Sequence, residues 1–202
     1  MCKERCEINL GFTSEKFKEG THMCFIYSDE EERKSVITKF IEAGVKAGEQ
    51  VSYIAYDMEK EEMIDWLKTA GVSISEKDIT LTSTKETYCP TGAFVPEEML
   101  ETLRGLYNSS KRNKYKSARV SGEMIWALDG IPGSERLMEY ESLINRVVET
   151  HPITAICQYD ANKFDGATIL NCLKVHPYMI VKSQIIKNPY YMTPEEYLEG
   201  KV

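Results

Sequence analysis

The segment that decides the fold is Gly20-Thr21-His22-Met23-Cys24-Phe25-Ile26-Tyr27-Ser28-Asp29-Glu30-Glu31-Glu32-Arg33-Lys34-Ser35. It reads as an apolar strand, Met23–Tyr27, followed by a helix that begins at a polar cap. In phosphate-binding enzymes this turn carries the pattern GxxxxGK[ST]. Here no glycine lies between Gly20 and Gly44, and residues 29–32 are all acidic. These carboxylates would repel a triphosphate, so the sequence predicts a nucleotide-hydrolase scaffold reused for another purpose.

The composition is typical of one globular domain. The chain has 202 residues, 42% of them hydrophobic, and no Pro- or Gly-rich linker divides it. We predict a single domain over residues 12–202 and a disordered or frayed amino terminus over residues 1–11. The net charge of −7 argues against direct binding of nucleic acid, because such surfaces are usually basic.

The sequence also predicts a cytoplasmic protein that does not contact a membrane. It has no run of eighteen or more apolar residues, and its first residues lack the apolar core of a signal peptide. Six cysteines are scattered without a framework spacing, so we expect free thiols. We therefore predict neither a disulfide, nor a cofactor, nor a bound metal.

Apolar runs of strand length alternate with amphipathic helical stretches, which indicates consecutive βαβ units. The predicted fold is a three-layer α/β/α domain with a mostly parallel central sheet and a short tail helix that starts at Thr193-Pro194. The predicted strands are Met23–Tyr27, Gln50–Ala55, Ile79–Ser83, Ser117–Glu123, Ile153–Asp160 and Met179–Ile186. The predicted helices are Asp29–Ala47, Lys60–Ala70, Pro96–Asn113, Ser134–Thr150 and Ala167–Val175.

Polar and aromatic residues cluster around the ends of the predicted strands. Ligands of open parallel sheets bind beyond the carboxyl ends of the strands, so we expect a small-molecule cleft there. The candidate ligand-binding residues are His22, Cys24, Tyr27, Arg119, Glu123, Trp126, Cys157, Tyr159, Asp160 and His176. The alternative for the aromatic residues among them is a place in the core.

Two acidic residues at strand ends allow two interpretations each. Glu123 lies where a nucleotide hydrolase would place an acidic residue, but without a phosphate loop it is better interpreted as a ligand-orienting carboxylate, paired with Arg119. An ion pair without any ligand is the alternative. Asp160 resembles the acidic residue that ends a magnesium-binding strand, and a capping role ahead of Asn162 is equally consistent.

Side-chain alternation places Cys157 and Tyr159 on one side of their strand and Gln158 and Asp160 on the other. His22, at the start of the first strand, could meet Cys157 or Asp160 from a neighbouring strand, which would create a polar or metal-binding site. Sequence spacing does not establish this convergence. A buried, inert Cys157 is therefore the preferred interpretation.

At these residues the chain resembles the MEDS domain, the methanogen and methylotroph DcmR sensory domain. The resemblance spans about Phe12 to Leu198. The segments that carry it are Gly20–Tyr27, Gly122–Trp126, Ile156–Asp160, His176-Pro177 and Asn188–Tyr191. The resemblance implies a RecA/KaiC-like fold with a degenerate phosphate loop. Every candidate ligand-binding residue named above except Arg119 matches a polar motif of the family.

The resemblance also implies a function: sensing of simple hydrocarbon derivatives such as halogenated or methylated one-carbon compounds, often in a chain with a DNA-binding or kinase module. Nothing after Leu198 could form such a module, so we expect a sensor, not an enzyme, that signals through a protein partner such as a kinase or a transcription regulator. The alternatives are a residual nucleotide- or metal-dependent hydrolase using Glu123, Asp160, His22 and Cys157, and a structural module that forms a homo-oligomer.

Overall fold

The computed structural model describes residues 5–56, 58–73 and 78–200 of the chain. A short antiparallel hairpin comes first, formed by strands β1 (Glu7–Asn9) and β2 (Lys16–Lys18). The remaining strands are β3 (His22–Tyr27), β4 (Gln50–Ala55), β5 (Ile79–Ser83), β6 (Ala118–Glu123), β7 (Ile153–Asp160), β8 (Tyr178–Val181) and β9 (Gln184–Lys187).

The helices are α1 (Glu30–Ala47), α2 (Lys60–Thr69), α3 (Thr84–Thr87), α4 (Pro96–Arg112), α5 (Leu137–Thr150), α6 (Gly166–Val175) and α7 (Pro194–Glu199). Two 3₁₀ turns, Ile125–Leu128 and Ser134–Arg136, connect β6 to α5. Asp29 caps α1 by accepting a hydrogen bond from the amide of Glu32, and Gly48 ends it in the left-handed conformation that glycine adopts readily.

Strands β3 to β9 form one sheet in the order β5-β4-β6-β7-β3-β8-β9. All neighbours are parallel except the final β8–β9 pair. β3 lies between β7 and β8, and its last residue, Tyr27, is level with Asp160 at the end of β7. The predicted α/β/α class with a mostly parallel sheet and a short tail helix is confirmed.

The two faces of the sheet carry separate cores. One core contains residues of α1 and α2 together with Met23, Phe25 and Tyr53 from the strands. The other contains residues of α4, α5 and α6 together with Cys24, Cys157 and Tyr159. Neighbouring residues of one strand therefore reach different environments, as the period of two in a strand requires.

Two boundary predictions are wrong. Residues 7–9 form strand β1, and Leu10 is completely buried, so the described part of the amino terminus is docked instead of frayed. The predicted final strand, Met179–Ile186, is the β8–β9 hairpin, because Lys182 and Ser183 both adopt left-handed conformations that reverse the chain. Residues 1–4 of the predicted frayed segment lie outside the described residues.

The predicted pairing of Arg119 with Glu123 is also wrong. Arg119 lies near the amino end of β6 and is completely buried, and its Nε donates to Glu49 at 2.6 Å. Its remaining guanidinium nitrogens donate to the backbone carbonyls of Phe40 and Asn9. Arg119 therefore ties the β1 segment and α1 to the sheet, and it takes no part in a site at the carboxyl ends of the strands.

Glycine is required where the amino-terminal hairpin meets α1. Gly11 has a φ of +86°, and a Cβ there would lie 2.1 Å from the carbonyl oxygen of Lys39. Gly92 has a similar φ of +84° but no atom within 4 Å of the same position. We expect Gly92→Ala to lower the free energy of unfolding by about 1 kcal/mol and Gly11→Ala by about 3 kcal/mol, since only the latter adds a steric clash.

Urea denaturation of the two variants measures this difference. Equal losses of stability would contradict the docking of the hairpin against α1.

Candidate functional site

A buried polar centre lies between the sheet and helices α5 and α6. It consists of His22 from the start of β3, Glu141 from α5, Cys157 from β7 and His176 at the end of α6. None of these residues is more than 5% exposed. We call these four residues the His–Glu–Cys centre.

Glu141 is the hub of the centre. Its Oε2 lies 3.2 Å from Nε2 of His22 and 3.3 Å from Nε2 of His176. The Sγ of Cys157 lies 3.5 Å from the same His22 Nε2. One ligand-type atom from each of the four residues falls within 4.8 Å of those of the other three. Four side chains that are distant in sequence therefore point at one small volume.

The other polar atoms of these side chains are held by neighbours. Asn145 Oδ1 lies 3.2 Å from His22 Nδ1, and the Asn145 amide nitrogen donates to the Val175 carbonyl at 2.8 Å. His176 Nδ1 donates to the carbonyl of Cys172 at 2.8 Å. The Tyr159 hydroxyl donates to Glu141 Oε1 at 2.7 Å. These bonds fix the imidazole planes and the carboxylate, so the centre is preorganised.

Charge in the centre is shared unevenly. Burial and the neighbouring His176 lower the pKa of His22. Burial also lowers the pKa of His176, but Cys24 and the Glu141 carboxylate outweigh it and raise that pKa to about 9. Burial acts to raise the pKa of Glu141, but the two imidazoles, His176 first, bring it below its usual range. The centre thus keeps Glu141 ionised and needs a positive charge beside it.

A second polar cluster lies on the other face of the sheet, around Arg33 in the first turns of α1. Arg33 is 4% exposed, and its Nη1 donates to the Tyr53 hydroxyl at 2.8 Å, to Glu123 Oε1 at 3.1 Å and to Gln158 Oε1 at 3.2 Å. Its Nε and Nη2 donate to the two carboxylate oxygens of Glu30. We call this set the Arg33 network.

The Arg33 network is closed at each end. The Tyr53 hydroxyl donates to Glu123, and the Gln158 amide donates to Ser121 at 2.9 Å. Burial raises the pKa of the Glu123 carboxyl, although Arg33 acts in the opposite direction. A buried carboxylate and guanidinium with this many hydrogen bonds form a stable pair only while both partners are present.

An open cleft of about 440 Å³ lies next to the Arg33 network, at the carboxyl ends of β4 and β5. Its lining includes the apolar residues Ala55, Met58, Met63 and Leu81 and the polar residues Thr82, Ser83, Glu86 and Asp129. Tyr56 connects the two, because its backbone amide donates to Glu123 and its hydroxyl donates to Asp129 at 3.0 Å. We call this open cleft the β4–β5 cleft.

The predicted ligand-binding residues divide into groups. His22, Cys157, Tyr159 and His176 meet at the His–Glu–Cys centre, so His22 approaches Cys157, a meeting that the sequence allowed but did not establish. Cys24 adjoins it: its Sγ lies within 4.8 Å of ligand-type atoms of Cys172 and His176.

The remaining candidates lie elsewhere. Glu123 belongs to the Arg33 network, and Tyr27 lies beside it, with the Arg33 guanidinium carbon 5.8 Å from the Tyr27 ring centroid. Trp126 is buried against Tyr88 and Phe94. Asp160 accepts a hydrogen bond from the amide of Asn162 within a turn, whereas Asp165 caps helix α6, so the predicted helix-capping role of Asp160 is wrong. Arg119 is remote from both clusters.

Sequence reasoning missed Arg33, Glu141 and Asn145. A signal for each exists in the helical periodicity. Glu141 and Asn145 lie one turn apart on the α5 face that also contains Leu137 and Val148, and all four are buried. Arg33 lies one turn before the buried Ile37 in α1. A polar residue on the apolar stripe of a helix must have buried partners, so it is a candidate for a site.

Residues 21–177 match the family described as MEDS, the MEthanogen/methylotroph, DcmR Sensory domain. The chain therefore belongs to the MEDS family of sensory domains. A stretch of 158 residues is 27% identical to the transcriptional repressor DcmR of Methylorubrum extorquens, and it covers 77% of this chain and 57% of that repressor. The matched stretch is thus a little over half the length of this relative.

Two solved structures share the fold. They are the flagellar accessory protein FlaH from Methanocaldococcus jannaschii, at 15% identity, and a KaiC-like protein from Pyrococcus horikoshii, at 16%. Each has a TM-score of 0.62 over 88% of this chain and 80% or 81% of its own. The predicted KaiC-like fold is confirmed. Among the residues that the structure describes, no helix is both long and apolar enough to cross a membrane.

The Arg33 network predicts a specific pattern of stability. Arg33→Met leaves the Glu123 carboxylate buried without its cation, and we expect a loss of about 3–5 kcal/mol in the free energy of unfolding. Glu123→Gln in the same chain should recover part of this loss, because the unpaired charge is then removed. Guanidinium chloride denaturation of the wild type, both single variants and the double variant gives the coupling energy.

Arg104→Met is a matched control, because the Arg104–Glu101 ion pair is exposed at Glu101 and contributes little to the free energy of unfolding. A coupling energy near zero between Arg33 and Glu123 would contradict the network.

Proposed function

We propose that this domain is a small-molecule sensor that binds its ligand in the β4–β5 cleft and passes the event to a protein partner, and that it neither binds nor hydrolyses nucleotides. The observation that carries the proposal is the combination of an open, partly apolar cleft with a buried network that ends at its wall. The family match supports the sensory role. The ligand class, simple halogenated or methylated one-carbon compounds, is part of the proposal.

The start of α1 supports the exclusion of nucleotides. In the KaiC-like fold a triphosphate would be held by amides at this helix terminus and by a cation beside them. Here Asp29 accepts the Glu32 amide at 2.7 Å, and the Glu32 carboxylate accepts the amide of Ser183 at 3.0 Å. The nearby cation, Arg33, is already paired with Glu30 and Glu123. Bound phosphates would meet three acidic side chains in place of a cradle, so these residues do not fit a nucleotide.

The β4–β5 cleft has the chemistry that a weakly polar ligand requires. Methionine side chains such as Met58 and Met63 are polarizable and adapt to small halogenated or methylated groups. Hydroxyl groups of Thr82 and Ser83 can supply polar contacts that fix an orientation. The proposed uncharged ligand would contact these apolar side chains and hydroxyl groups; the lining also contains the charged residues Glu59, Lys60, Lys85, Glu86 and Asp129.

A route from the cleft to the surface also exists. The Tyr56 hydroxyl donates a hydrogen bond to Asp129, and its backbone amide donates one to Glu123. A ligand that displaces Tyr56 would therefore break both hydrogen bonds. Leu128, next to Asp129, is 50% exposed and offers an apolar surface to a partner. Binding would thus shift the population between two arrangements of this segment.

Isothermal titration with Mg-ATP tests the exclusion of nucleotides. We expect no saturable heat at protein concentrations that detect micromolar binding, because the amide and cation sites are internally occupied. Tight binding of Mg-ATP, abolished when an acidic residue is introduced by Ser28→Glu or Asn162→Glu beside this turn, would overturn the proposal.

Thermal unfolding in the presence of one-carbon compounds tests the cleft. A ligand present at 100 times its dissociation constant stabilises the folded state by about 2.7 kcal/mol, which raises the Tm of a domain of this size by about 5–10 °C. Thr82→Trp fills the cleft and should abolish the rise, whereas Thr80→Trp, on the same strand but outside the lining, should leave it intact. The same rise in both variants would place the ligand elsewhere and refute the assignment.

A further inference from the structure

The His–Glu–Cys centre carries an inference that is independent of the proposed sensor cleft. It lies on the opposite face of the sheet and contains the ligand types that zinc prefers, namely two imidazoles, a carboxylate and a thiol. We propose that this centre is a binding site for a divalent transition metal, with zinc as the resident ion. The four ligand atoms are Nε2 of His22, Nε2 of His176, Oε2 of Glu141 and Sγ of Cys157.

Three of the six distances between the ligand atoms match a tetrahedral site. With bonds of about 2.0–2.1 Å to nitrogen and oxygen and about 2.3 Å to sulfur, tetrahedral geometry separates nitrogen from oxygen by about 3.3 Å and nitrogen from sulfur by about 3.6 Å. The two nitrogen-to-oxygen distances in the centre are 3.2 and 3.3 Å. The nitrogen-to-sulfur distance between His22 and Cys157 is 3.5 Å. The other three distances are at most 4.8 Å, so all four atoms lie close enough to converge on one ion.

Two buried atoms without a hydrogen-bond partner also support a metal site. Glu141 Oε2 and His176 Nε2 are buried and make no hydrogen bond of acceptable geometry, although they lie 3.3 Å apart. Nδ1 of His176 must carry a proton, because the carbonyl of Cys172 can only accept. Nδ1 of His22 faces Oδ1 of Asn145, because the amide nitrogen of Asn145 donates to the Val175 carbonyl. An amide oxygen can only accept, so Nδ1 of His22 also carries a proton. Each imidazole thus directs its Nε2 at the centre, and a metal ion bound there displaces any proton that Nε2 carries.

Donor atoms that converge around a buried carboxylate favour a positive charge between them. A divalent ion bound by one carboxylate, one thiolate and two neutral imidazoles is an electrically neutral assembly, which a buried site tolerates. The supporting bonds from Asn145, the Cys172 carbonyl and Tyr159 are of the kind that orient metal ligands in proteins. The site would connect β3 and β7 to α5 and to the end of α6.

Four protein ligands leave no open coordination position, so the ion has a structural or regulatory role and not a hydrolytic one. Two further thiols lie near the centre, because the Sγ atoms of Cys24 and Cys172 fall within 4.8 Å of a ring nitrogen of His176. Nδ1 of His176 lies 3.6 Å from Cys172 Sγ, and it already donates a hydrogen bond to the Cys172 carbonyl. We therefore assign the ion to the set with Cys157.

Cobalt substitution tests this assignment on the full chain. The protein is treated with a chelator, and Co²⁺ is then titrated both into the native protein and into protein refolding from guanidinium chloride, so that slow entry into a buried site cannot mimic failure to bind. We expect one equivalent of Co²⁺, intense visible bands of a tetrahedral ion, and a thiolate-to-cobalt charge-transfer band in the near ultraviolet. Zn²⁺ should displace Co²⁺ and raise the Tm of the metal-free protein.

Variants identify the ligands. Cys157→Ser should abolish the charge-transfer band, whereas Cys24→Ser, a buried thiol of the neighbouring strand, should keep it. Glu141→Gln should weaken the visible bands, and Tyr159→Phe should lower the affinity for Co²⁺ about 10- to 100-fold, because it removes only the support of the carboxylate. Circular dichroism of each metal-free variant verifies that it is folded.

Binding of less than a tenth of an equivalent to both native and refolded protein would overturn the proposal. A charge-transfer band that survives Cys157→Ser but disappears in Cys24→Ser would overturn the ligand assignment. Neither result bears on the β4–β5 cleft, because these measurements contain no small molecule and Thr82→Trp should leave the cobalt spectrum unchanged.

Discussion

The structure depends on a single electrostatic constraint, namely that a carboxylate removed from water must meet a positive charge or several hydrogen-bond donors. Two carboxylates near the central strands satisfy it on opposite faces of the sheet. Glu123 meets the guanidinium of Arg33 and the hydroxyl of Tyr53, and Glu141 meets two imidazoles and the hydroxyl of Tyr159. The partners come from strands and helices that are far apart in sequence, so each carboxylate fixes how those elements pack.

The constraint also explains how a KaiC-like scaffold can exist without a phosphate at the start of α1. A helix terminus of this kind has unpaired amides and a positive potential. In this chain Asp29 caps the helix, three glutamates complement the dipole in its first turn, and Arg33 offsets their charge from within the helix. The terminus is thus satisfied by its own side chains, and the fold keeps its topology while its chemistry differs.

Much of the fold could be predicted from the sequence, because apolar periodicity and capping residues mark the elements directly. Five of the six predicted strands coincide with β3 to β7 to within one residue, and Asp29 and Thr193 mark helix starts as expected. The β8–β9 hairpin escaped prediction because its left-handed turn residues are Lys182 and Ser183, neither of which signals such a turn. The meeting of His22 with Cys157 could only be suggested, and its organiser, Glu141, was missed because the register of α5 against the sheet is a tertiary property.

Strand β7 is the element that both faces share, and its alternation determines what each face can do. Gln158 points to the Arg33 network, whereas Cys157 and Tyr159 on either side of it point to the His–Glu–Cys centre. Any displacement of β7 therefore changes hydrogen bonds on both faces together. Coupling between two sites needs an element with two arrangements that both sites bias. β7 meets one part of this condition, namely that one element contacts both sites. In the part of the chain that the structure describes, it is the strand whose consecutive residues contribute side chains to both clusters.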